Sequence, residues 1–120
     1  MERHFTIGQA RQMLPDVVTR TERLIVVRAQ LVDAQVALRS DDPDPGTMPQ
    51  AKALEAELHE IVEAFVTQGL QVKGIAPLLL DFPAVVDGRE GLLCWLEREP
   101  DLSYWHPVET GFMGRRPLPA

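Results

Sequence analysis

Val17, Leu24, Leu31 and Leu38 recur every seven residues, flanked by Val18, Ile25 and Val32. An apolar stripe of that period, sustained over about five turns, predicts an amphipathic helix over residues 7–39. Thr6 and Gln9 stand in T-x-x-Q spacing at its start. The threonine hydroxyl can accept from the first-turn amides while the glutamine reaches back, so a capping box is expected. Pro15 falls inside the pattern, removes one intrahelical hydrogen bond and predicts a bend near Met13–Asp16. The stripe stops at the polar, Pro- and Gly-rich "SDDPDPG" of residues 40–46.

A second helix is expected over residues 47–69. Thr47 and Gln50 repeat the T-x-x-Q spacing, with Pro49 tolerated in the first turn. Leu54, Leu58, Ile61, Val62 and Phe65 form its apolar face. Gly69 supplies a left-handed C-terminal position from which Leu70 folds back on Phe65 or Val66. Two helices joined by a short loop pair antiparallel. Helix one is about 50 Å long and helix two about 31 Å, at 1.5 Å per residue. Roughly 18 Å of the first stripe, the half before Arg20, therefore needs another partner, either the C-terminal sheet or a second chain.

From Leu70 onward the period changes. "LLLDFPAVVDGREGLLCWLE" holds two apolar runs around Asp87-Gly88, a hairpin signal. A two-residue turn there sets Val86 opposite Arg89, Phe82 opposite Leu93, Asp81 opposite Cys94 and Leu80 opposite Trp95. Pro83 cannot donate to a ladder, so it belongs at an edge or a bulge. "LQVKGI" precedes the hairpin and "LSYWH" follows it. The expected fold is α+β: a long antiparallel helical hairpin, then a small antiparallel β-sheet of three to four strands. All 120 residues are assigned to a single domain, with the sheet over residues 70–106 and a tail over 107–120.

Composition narrows the class. The chain is 45% hydrophobic and 25% charged, which is ordinary for a globular protein and argues against global disorder. A formal net charge of −6 disfavours nucleic acid and anionic membranes as partners. No apolar run approaches the ~20 residues that span a bilayer, and "MERHFTIGQA" lacks the apolar core of a signal peptide. One cysteine, Cys94, excludes an internal disulfide and a Cys-rich zinc site. A cytoplasmic location is expected.

Groups with chemical capacity gather in the last forty residues: Asp81, Cys94, Glu97, Glu99, His106, Glu109, Arg115 and Arg116. Asp81 lies in the apolar run "LLLDF", where a carboxylate must be paired or ligated. His106 in "YWHPVE" is a candidate base, metal ligand or strand-end hydrogen bonder. With Glu109 it makes H-x-x-E, outside any helix because Pro107 intervenes. Asp81, His106 and Glu109 are the candidate metal ligands, and a divalent metal is admissible only if three groups converge. Asp81, Trp95, Glu99, Trp105, His106, Glu109 and Arg115 form the candidate ligand-binding set. The bland alternatives stand beside these. Cys94 reads first as a small buried hydrophobe, the aromatics as core, and a lone histidine beside them as structural. No P-loop, dinucleotide fingerprint, serine elbow or HExxH motif occurs.

Strand parity sharpens the question. If "REPD" is a four-residue loop, Glu97 opposes Leu102 and His106 opposes Leu93, away from Asp81. A one-residue shift that set His106 opposite Cys94 would put it beside Asp81.

Several strings in order, "FT…A…LP", "DFPA…DGRE…LCW…EP", "WH" and "GF.GR.PL", resemble an uncharacterised bacterial family, domain of unknown function 2203. The resemblance covers nearly the whole chain, its C-terminal strings being the specific part. It puts weight on Asp81, Phe82, Pro83, Gly88, Arg89, Cys94, Trp95, Glu99, Trp105, His106, Gly111, Phe112, Gly114, Arg115 and Pro117. It departs at Arg98 and Leu78, where the pattern implies glycine. The family carries no assigned activity, so the resemblance implies no mechanism.

Two readings of function result. The first is a non-enzymatic module whose mismatched helical stripe pairs with another copy or another protein. The second is a small-ligand or metal-dependent site, hydrolytic in its strongest form, at the end of the sheet. The first is preferred because it needs no cofactor.

Overall fold

Thr6 caps the first helix as its spacing predicts. Gln9 N–H donates to Thr6 Oγ1 and Thr6 N–H to Gln9 Oε1, each at 3.0 Å. The computed structural model describes residues 4–119, so the expected domain's residues 1–3 and 120 lie outside the described residues. Helix α1 spans Ile7–Leu38 and continues through Pro15, whose carbonyl accepts from the Thr19 hydroxyl. Helix α2 spans Thr47–Thr67. Its expected capping box does not form. Gly46 is the N-cap and Thr47 the first helical residue, so the Thr47 side chain is tucked into the buried interior instead of closing the helix end. The other end behaves as read: Gly69 has φ +95°, and its N–H and that of Leu70 return to the carbonyls of Val66 and Phe65.

The sheet is a five-stranded antiparallel meander: β1 Gln71–Ile75, β2 Leu78–Val86, β3 Arg89–Leu96, β4 Tyr104–Pro107 and β5 Arg116–Pro117. This corrects the expected three to four strands. The fifth comes from the segment read as a tail, where two residues carry no periodicity to read. Asp87 and Gly88 both take positive φ, +50° and +77°. The β2–β3 register is the one that a two-residue turn dictates: Val86↔Arg89, Phe82↔Leu93, Asp81↔Cys94 and Leu80↔Trp95. β1 pairs with β2 only as far as Asp81, with an irregularity between Val72 and Gly74. Past that point Phe5 takes over the open edge, donating its N–H to the Pro83 carbonyl at 2.7 Å. Pro83 thus sits where its side of the strand needs no second donor.

One apolar cluster joins both layers. Ala10, Leu14, Val17, Leu24 and Val27 of α1 and Ile61 and Phe65 of α2 pack with Leu80, Phe82, Leu93, Trp95 and Trp105 of the sheet. Arg20 Nη1 meets Gln68 at the end of α2, so the half of α1 before Arg20 does run past α2. The sheet covers it, and Arg11 donates to the Leu102 carbonyl there. Arg28 is the last residue of α1 hydrogen-bonded to the sheet region among the described residues. The molecule measures 58 × 26 × 24 Å, and the distal hairpin accounts for the long axis.

Candidate functional site

The helix-free face of the sheet holds the chemistry. Residues opposed in an antiparallel ladder share a face. Asp81 is opposite Cys94, Cys94 opposite Tyr104 and Leu92 opposite His106, so Asp81, Cys94 and His106 share one face. Neither register considered from the sequence is the one adopted. The shift runs the other way, to Leu92, with the same parity and the same result. β3 ends at Leu96 in a tight turn with Arg98 at φ +78°, closed by the Glu99 N–H and the Leu96 carbonyl, and Glu97 in that turn accepts from Arg28 and the Leu78 N–H rather than opposing Leu102.

His106 Nε2 lies 3.1 Å from Asp81 Oδ2, and both side chains are 2% exposed. The other ring nitrogen, Nδ1, is 2.9 Å from the Pro107 carbonyl. A carbonyl only accepts, so Nδ1 carries a proton and Nε2 is the nitrogen that faces Asp81. Cys94 is fully buried beside them. Burial pushes its thiol up to about 12; the Asp81 charge adds to this, while Arg115 pulls it down. Lys73, the extra residue at the irregularity in β1, brings its ammonium to 3.9 Å from Asp81 Oδ2. Asp81 Oδ1 has no hydrogen-bond partner although it is buried.

A second polar knot closes this face. Glu99 Oε1 accepts from the Leu96 N–H at 2.7 Å and from Arg115 Nη2 at 2.6 Å. Arg115 lies against the rings of Tyr104 and Phe112, 4.2 and 4.8 Å from their centroids, and donates to the Cys94 carbonyl. The C-terminal segment is thereby strapped over β3 and β4.

The seven candidate ligand-binding residues therefore do not form one site. Asp81 and His106 meet. Glu99 and Arg115 meet nearby. Trp95 and Trp105 point through the opposite face into the core, and Trp95 Nε1 donates to the Glu99 carbonyl. Glu109 is exposed in the turn after β4, and the compact cluster contains Cys94 in its place. That substitution was legible, because the Asp87-Gly88 turn already set Cys94 opposite Asp81. On the helical side, Trp95 and Glu99 border a cleft of about 480 Å³ with Val18, Glu22, Ile25 and Arg98. None of the described helices is long and apolar enough to cross a membrane.

A family model described as an uncharacterized conserved protein, DUF2203, matches residues 3–118. No curated protein and no solved structure matches the chain.

Proposed function

Because the chain belongs to the DUF2203 family of uncharacterized conserved proteins, whose description carries no activity, we propose a function from the surface. In this reading it is a non-enzymatic cytoplasmic module that self-associates through its helical hairpin. The observation that carries this is a second apolar stripe on α1. Val17, Leu24 and Leu31 are buried, yet Val18, Ile25 and Val32, one position on at the same seven-residue spacing, stay half-buried or exposed. Val36 extends the stripe, and Val32 and Val36 are 53% and 57% exposed.

Seven-residue spacing suits a helical partner. Antiparallel pairing about a two-fold axis near residue 27 sets Val18 of one copy opposite Val36 of the other and Ile25 opposite Ala29, with Val32 beside Glu22 at the margin of the seam. A second copy is therefore the occupant. The hydrolytic alternative gains no support, since Asp81 and His106 are closed off from solvent and Glu109 stands apart.

Light scattering on the purified protein tests the proposal. A dimer is expected, converting to monomer in Val32→Glu/Val36→Glu with its melting transition retained, because both positions are exposed. A wild-type monomer at high concentration overturns it.

A further inference from the structure

We propose that Asp81, Cys94 and His106 form a site for one divalent transition-metal ion of the zinc type. The three donors come from adjacent strands, lie within 4.8 Å of one another, and belong to residues at most 2% exposed. One thiol, one imidazole and one carboxylate make a mixed sulfur–nitrogen–oxygen set. Such a set suits Zn²⁺, or Co²⁺ as its spectroscopic surrogate, over Mg²⁺ and Ca²⁺, which take oxygen shells.

Two features point to a ligand beyond mere proximity. The first is the outer hydrogen bond. Nδ1–H is held by the Pro107 carbonyl, leaving Nε2 to face the cluster, which is how proteins orient a metal-bound histidine. The second is Asp81 Oδ1, a carboxylate oxygen buried without a partner. A native interior rarely leaves such an atom unsatisfied. Lys73 is the nearest cation, and its half-exposed side chain can withdraw to solvent as an ion enters.

The exchange balances. The Cys94 S–H bond breaks, its electron pair forms the sulfur–metal bond, and the thiol proton passes to the buffer. The proposal is independent of how the hairpin associates.

The test uses the full chain, stripped with chelator and titrated with Zn²⁺ and with Co²⁺. One equivalent is expected to bind, raising the melting temperature, with a thiolate-to-cobalt charge-transfer band and release of the thiol proton. Cys94→Ala should abolish the band and weaken binding at least about tenfold, and His106→Gln should weaken binding by a similar factor. Glu109→Gln should bind like the wild type. If His106→Gln does not fold, Cys94→Ala decides alone, since alanine suits a small buried position. Absence of binding by the wild type, or a cobalt spectrum unchanged in Cys94→Ala, overturns the site and leaves a purely structural polar cluster.

Discussion

His106 and Asp81, 25 residues apart in sequence, meet through a 3.1 Å contact that spans the intervening strand β3. Removing one member of a buried ionisable pair strands the other, a cost of about 3–5 kcal/mol. His106→Leu and Asp81→Leu should each be strongly destabilising by urea denaturation. The double variant should cost clearly less than their sum, because no charge is left behind. Strict additivity would show that the two groups do not interact.

The Arg28–Glu97 pair should set the acid limb of stability. The Arg28 guanidinium holds Glu97 below the usual carboxylate range; burial opposes this and the Leu78 N–H assists. A depressed folded-state pKa gives stability that is present above the unfolded value, near 4.5, and lost as pH falls through the folded one. Glu97→Gln should lower stability at pH 7 and flatten its fall between about pH 5 and 3. An acid limb of unchanged slope would remove Glu97 from this role.

Gly91 is fixed by close approach. A Cβ there would stand 2.8 Å from the Trp105 ring and 3.1 Å from the His106 carbonyl oxygen. Gly91→Ala should destabilise by roughly 1–3 kcal/mol, as overpacking does. The shift in Trp105 should be visible in near-ultraviolet circular dichroism. Full stability in that variant would refute the packing argument.

Arg98 has φ +78° in the turn closed by the Glu99 N–H and the Leu96 carbonyl. That conformation costs a residue with a Cβ roughly 1–2 kcal/mol. Glycine removes this cost and adds only about 0.5–1 kcal/mol of unfolded-state entropy. Arg98→Gly should therefore raise the melting temperature by a few degrees, and a fall would show that the exposed arginine makes a contact worth more than the strain.

Cys94 should be inert in the native protein. Its thiol is fully buried and pushed up to about 12. Alkylation at pH 8 should proceed only as fast as the sheet opens, and denaturant should release one thiol per chain. Rapid labelling of the folded protein would contradict this.

Where interactions are local, the sequence could be read closely. The Thr6 cap, the Gly69 stop and the β2–β3 register each depend on residues a few positions apart. The β3–β4 register was not legible in the same way, because it depends on β3 ending in a turn that puts Arg98, a residue type that does not signal it, at positive φ. Parity still carried the essential point, since a shift in either direction brings His106 to the face of Asp81. The Thr47 cap failed for the complementary reason. Its spacing fits a capping box, but tertiary packing buries the side chain. The strand Arg116–Pro117 is too short for any pattern, and Arg115 holds it in place through Glu99 and two aromatic rings.

The hydrogen bond from Phe5 to Pro83 ties together residues nearly eighty positions apart. The helical hairpin and the meander each join sequence neighbours in order, so either can zip up with little loop closure. Beside the shared apolar core, hydrogen bonds from Phe5, Arg11 and Arg28 stitch the two together. Those stitches carry the large entropic cost of bringing distant segments into register, so they should form late in folding and open early in unfolding. The amide of Phe5 should then exchange with solvent sooner than those of β2 and β3.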